Sequence, residues 1–159
     1  MGMRQHECTT DKGYGVVLAG LQSKIWKPNA AVTLVDSILT SGCDSLRAEF
    51  EEYCADNGYS PEGEVGKREF VEDYEVEDGI YDGGIGGLLA VFLNEEACKG
   101  HQFFCFMDSC LYVTACVPVD SESRALIPTQ EDISHLFGRY LNPLLVEPLE
   151  INWVYPSYC

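Results

Sequence analysis

Apolar residues recur along this chain in two rhythms, one helical and one extended, separated by a stretch that follows neither. Leu46, Phe50, Tyr53 and Cys54 stand at i, i+4, i+7 and i+8, the spacing that puts side chains on one face of an α-helix. Asp44 or Ser45 can cap that helix, and Asn57-Gly58 supplies a left-handed stop. Ile133, Leu136, Phe137, Tyr140, Leu141 and Leu144 repeat in the same way behind Thr129-Gln-Glu-Asp132. That tetrapeptide reads as a capping box with Asp in place of the usual Glu or Gln, and Pro143 bends or ends the helix it opens. A shorter helical pattern covers residues 30–39, with Leu34, Val35 and Ile38 on one face and Thr40-Ser-Gly42 at its end. Residues 88–97 are apolar nearly all round, which predicts a helix buried on most of its girth, with Glu95 and Glu96 near its end.

The extended rhythm comes later and once near the start. Residues 103–107 and 111–117 are apolar runs separated by Asp108-Ser-Cys110, the spacing of a β-hairpin. Residues 149–155 alternate strictly and predict a half-buried strand added to that hairpin. Residues 14–21 read as a short buried strand weakened by two glycines. Between the rhythms, residues 60–66 loosen. From Glu69 to Asp82 acids then alternate with Phe70, Val71, Tyr74, Val76, Ile80 and Tyr81, a pattern that fits a helix turn or an edge strand equally. Gly83-Gly-Ile-Gly-Gly87 reads as a turn that lets the next helix pack tightly.

These elements predict an α+β fold with a small antiparallel sheet, hairpin plus C-terminal strand, packed with three to four helices. The 159 residues fit a single compact domain over 1–159, with 1–12 a loose N-terminal segment. A chain of this size buries about two thirds of the surface it exposes when unfolded.

Charge adds a location to this picture. The 26 acidic residues outnumber 10 basic ones, for a formal net charge of −16, while the 46% hydrophobic content is that of an ordinary folded protein. With no basic run to neutralise phosphates, direct nucleic-acid binding is excluded, whereas basic surfaces are attracted. The excess is concentrated. Thirteen acids lie between Glu49 and Asp82, opposed only by Lys67 and Arg68, a net −11 over 34 residues. A solvated face is the default meaning of such a run. Its interleaving with Tyr53, Tyr59, Phe70, Tyr74 and Tyr81 predicts more: carboxylates that steer and pair with arginine, beside aromatics that anchor. The candidate partner-binding residues are Glu49, Glu51, Glu52, Glu69, Glu72, Asp73, Tyr74, Glu75, Glu77, Asp78, Tyr81 and Asp82.

Other chemistry is weakly signalled. The eight cysteines form no C-x-x-C pair, so no zinc site is assigned. The N-terminus carries no secretory signal and no apolar run is long enough for a membrane span, so the expected location is cytoplasmic and the thiols read as small buried hydrophobes. His6, His101 and His135 stand apart in sequence, without a local catalytic signature. The glycines at 83–87 match neither phosphate-binding pattern and follow a carboxylate-rich segment. Asp73-Tyr-Glu-Val-Glu-Asp-Gly79 only loosely approaches a calcium loop. No catalytic residue, cofactor or metal is assigned.

Residues 87–96, 111–118 and 129–143 resemble small uncharacterised proteins from phages and mobile elements of gut bacteria, over about the C-terminal half of the chain. In charge and size the chain resembles antirestriction proteins that mimic DNA and some anti-CRISPR proteins, although its cysteine content departs from the antirestriction pattern. This resemblance implies a non-enzymatic inhibitor whose partner is a basic protein surface, on a CRISPR effector or restriction nuclease. The alternatives are a small cytoplasmic enzyme using Cys and His or carboxylates, and a regulatory module built as a homodimer.

Overall fold

The computed structural model describes residues 13–17, 25–76, 82–98, 103–107, 110–113 and 129–154. The expected loose segment 1–12 and the outer parts of several expected strands lie outside the described residues. Within them the fold is α+β: five α-helices and a four-stranded antiparallel sheet among the described residues.

Helix α1, Ala30–Thr40, turns Leu34, Val35 and Ile38 inward as its periodicity requires. At its last turn the Ser41 N–H donates to Ser37 O and Ile38 O, and side chains reinforce that end. The Thr40 hydroxyl donates to Asp36 O and Ser37 O, and the Ser41 hydroxyl to Ile38 O. Arg47 adds a guanidinium bond to Leu39 O from the next helix, so one cation faces the negative end of α1.

Helix α2, Asp44–Asn57, buries Leu46, Phe50 and Cys54 and stops at Gly58, which takes φ 73°. Its cap differs from the expectation of Asp44 or Ser45. The N-cap is Cys43, with no side-chain capping bond. Cys43 is buried, and its N–H is satisfied by the Ser41 hydroxyl. Asp44 moves into the first turn, where its charge still complements the helix dipole.

Residues expected to be loose instead open helix α3, Glu64–Asp73. The ambiguous stretch after Glu69 is therefore helical through Asp73, and residues 74–76 have no regular structure. Polar periodicity had hidden this helix, because its buried residues are Gly66, Phe70 and Val71. A Cβ at Gly66 would lie 2.9 Å from Tyr59 Cβ and 3.2 Å from Cys54 Sγ, so α2 and α3 meet where one has no side chain. Gly66→Ala is expected to cost about 1–3 kcal/mol in urea unfolding, through overpacking that moves the two helices apart.

Helix α4, Gly84–Cys98, begins inside the glycine stretch, which is thus the helix's first turn and not a separate turn before it. Gly86 sits against the Phe106 ring, where any Cβ would collide. Strands β2, Phe104–Met107, and β3, Cys110–Val113, form the expected hairpin. Strand β1, Gly13–Val17, pairs with β3 on one side and with β4, Asn152–Val154, on the other. The sheet order is β2-β3-β1-β4, so the C-terminal strand joins the hairpin through β1.

The helix behind Thr129 is the expected one at its start. Thr129 and Asp132 form the reciprocal capping box, with bonds of 3.2 Å in each direction. It is wound in three ways: α5 covers Gln130–Leu136, a π turn Phe137–Leu141 and a 3-10 turn Asn142–Leu144. Pro143, which lacks an N–H to donate, lies in the terminal turn.

One apolar cluster joins these elements. It runs from Leu34, Ile38 and Phe50 through Leu88, Phe92 and Phe106 to Phe137 and Leu144. Helix α4 is its axis, touching α1, α3 and β2. Asn94 is the buried polar residue of that helix, 8% exposed. Its Oδ1 accepts from Phe103 N at 3.0 Å and Phe104 N at 2.8 Å, and its Nδ2 donates to Phe104 O at 3.0 Å. Strand β2 is an edge among the described strands, and this one amide occupies the outward N–H and carbonyl of Phe104 as a neighbouring strand would.

Candidate partner-binding face

The acidic segment folds into the α2–α3 pair and the residues that follow it. On α2, Glu49, Glu52 and Asp56 recur at i, i+3 and i+7 along one flank, while Glu51 occupies the other; all four are exposed. On α3, Glu64, Glu72 and Asp73 are exposed and Glu69 is half-buried. Glu75 and Asp82 are exposed beyond the helices, and Tyr74 is half-buried. Glu77, Asp78 and Tyr81 lie outside the described residues.

The two cations in the segment do not dilute this face equally. Lys67 turns away to α1, where its Nζ meets Asp36 Oδ1 at 2.8 Å. Arg68 remains on α3 and pairs with Glu64 at 2.7 Å, one turn earlier. Such exposed i,i+4 pairs contribute only about 0.3–0.5 kcal/mol, and their electrostatic consequence is larger than their stability: each cation already has an anion beside it.

The aromatic residues take a different place from the exposed anchors the sequence suggested. Phe70 is buried and meets Phe50, Tyr53 and Tyr74 edge to face, with ring centroids 5.3, 5.5 and 5.9 Å away. Tyr53 also stacks on Tyr59 at 6.1 Å. These rings are the packing that locks α2 to α3, because edge-to-face contacts favour a defined geometry over a loose apolar patch. Alternation of acids and aromatics could not distinguish this from an anchor face, since both place the rings between carboxylates.

One carboxylate serves the frame. Asp73 Oδ2 accepts the Tyr53 hydroxyl at 2.6 Å across the two helices. That bond, followed by burial and the charge of Asp73, raises the Tyr53 phenol well above its ordinary value. Burial, with the charge of Glu62 added, raises the Cys54 thiol, which keeps it protonated and a poor nucleophile.

Glu69 shows how crowded the acids are. The Glu72 charge, then burial and a hydrogen bond with Glu72, raise its pKa in the folded state. A carboxyl with a raised folded pKa binds its proton more tightly in the native chain. Its contribution to stability is therefore fully present below the unfolded pKa and is lost as pH rises through the folded value. Glu69→Gln should raise the thermal midpoint at neutral pH, and the gain over wild type should vanish in acid; melting curves across that range check it.

A cleft opens beside this face. Its volume is about 670 Å³, and its lining includes Glu49 of α2, Tyr74 and Glu75 after α3, Ala90 and Glu95 of α4, and Phe104 and Phe106 of β2. The sequence reading missed Glu95, which lies outside the acidic run. It also missed Asn94, although Gly87, Ala90 and Asn94 stand at i, i+3 and i+7 and so mark one buried helical face.

For other chemistry, Cys43, Cys54 and Cys105 are buried and Cys110 is half-buried. His135 is exposed on α5, while His6 and His101 lie outside the described residues. Among the described residues, no group of three His, Cys, Asp or Glu is placed to hold a metal ion, and no helix is long and apolar enough to cross a membrane. No protein-family model, curated protein or solved structure matches this chain.

Proposed function

We propose that the chain is a non-enzymatic interaction protein whose α2–α3 face binds a basic, nucleic-acid-binding protein and competes there with the nucleic acid. The observation that carries this reading is the rigid display of Glu51, Glu52, Asp56 and Glu72 in the open, while the cations of the same segment are each engaged by an acid. Fixed carboxylates on two packed helices lose little freedom on binding, and they complement an arginine-rich groove in charge. The partner class proposed, on the likeness in size and charge to antirestriction and anti-CRISPR inhibitors, is a CRISPR effector or restriction nuclease.

The test pairs the wild-type chain with a variant carrying Glu51→Lys, Glu52→Lys, Asp56→Lys and Glu72→Lys as baits for host proteins. These four sites avoid Asp73, which holds Tyr53, and Glu64, which holds Arg68. The reading expects a nucleic-acid enzyme retained by wild type, displaced by its own duplex substrate and lost from the variant. Equal retention by both baits would contradict it.

A further inference from the structure

We infer that the cleft between α2, α4 and β2 receives a short segment of the basic partner in which one large apolar side chain is flanked by arginines. This rests on the reading that the partner is basic and adds where it is anchored.

The cleft has two chemistries at two depths. Leu46, Ala90, Phe104 and Phe106 are buried and form an apolar floor, while Glu49, Glu75 and Glu95 are exposed at its rim. The three carboxylates come from three elements: α2, the stretch after α3, and α4. Among the described lining residues there is no Lys, Arg or His. A volume of about 670 Å³ lies within the roughly 300–1,000 Å³ of sites that enclose a ligand. A charged head driven to this floor would lose its hydration without a compensating partner. An apolar side chain on the floor with cations at the rim satisfies both layers. Arginine suits the rim better than lysine, because its planar fork can bridge carboxylate oxygens and its weaker hydration makes desolvation less costly.

The floor is also preformed. Asn94 holds the Phe103–Phe104 backbone to α4, and Asp82 N donates to Phe106 O at 3.0 Å, so the wall made by β2 is tied at two points. A fixed wall reduces the ordering cost that a shallow surface contact would carry.

The probe is the blocked peptide acetyl-Ala-Arg-Leu-Arg-Ala-amide, titrated to millimolar concentration into the 15N-labelled full chain. The inference expects amide shifts at Ala90, Val91 and Asn94. It expects binding to weaken by about tenfold or more when citrulline replaces both arginines, and likewise when alanine replaces leucine. Glu49→Gln, Glu75→Gln and Glu95→Gln together should reproduce the citrulline loss, and Ala90→Phe, which fills the floor, should reproduce the alanine loss. The rim variant keeps the test informative if the filled-floor variant does not fold. Absence of shifts at millimolar peptide, shifts confined to the outer face of α2 and α3, or indifference to the leucine would each overturn the inference.

The four-site lysine variant separates the two claims. If the peptide fails in the cleft while the lysine changes still release the basic protein, the anchor is wrong and the acidic-face reading stands. If the peptide binds as expected while the lysine variant holds the protein as wild type does, the acidic-face reading fails and the cleft remains a site.

Discussion

Asn94→Ala is expected to destabilise the chain by about 3–5 kcal/mol, since it strands two buried N–H groups and one carbonyl at roughly 1–3 kcal/mol each, partly recovered by relaxation. Few surface positions approach that size. The lost bonds are to Phe103 N, just before β2, and to Phe104 N and O on the outer edge of the hairpin. Urea unfolding should show the loss, and amide exchange at Phe104 should accelerate before exchange in α1 does. Asn94→Asp gives a sharper contrast. Its carboxylate can still accept from both N–H groups but repels Phe104 O, whereas the protonated acid can donate to it. The folded pKa of such an Asp is raised, so the variant should recover stability as pH falls and lose it again as pH rises. A serine at the same place reaches too few of the three groups to substitute.

How much of this could be read from sequence depended on which residues had to face inward. Ile38, Phe50 and Ile133 belong to strong helical periods; the helices of Ile38 and Phe50 begin and end within a residue or two of where the pattern puts them, while that of Ile133 begins there but leaves the α form after Leu136 for a π and a 3-10 turn. Helix α3 was obscured for the opposite reason. Its inner face is Gly66, Phe70 and Val71, and a glycine contributes no apolar signal even though it is the residue that lets α2 approach. The position of β1 between β3 and β4 could not be read at all, because pairing between distant strands leaves no local trace in either. At the candidate face, the carboxylates were legible as charge, and their exposure follows from the helical period. The role of the tyrosines was not, because Tyr53 and Phe70 meet only through the tertiary contact of two helices.

Charge reversal on that face is the second large expected effect. Lysine at positions 51, 52, 56 and 72 replaces four exposed acids, each change adding two charges, or eight against a net −16. Rim ion pairs are worth roughly 0.5–1 kcal/mol each, so removing four and making each site repulsive should weaken binding by about a hundredfold or more. The folded state should not suffer. The four side chains are exposed, and the change relieves repulsion among like charges on α2 and α3. Thermal melting of the variant at or above the wild-type midpoint would therefore separate a binding loss from a folding loss. Neutral variants, with glutamine or asparagine at the same sites, should fall between the two and establish that charge is the variable.

The most direct measurement is the affinity of the wild-type and four-lysine chains for the same purified basic partner, taken at low and at high salt. An acidic face that works by charge predicts tight binding by wild type at low salt, a steep loss as salt rises, and weak binding by the variant with a shallow salt dependence. Equal affinities with the same salt dependence would contradict it and leave these carboxylates as a solvated surface.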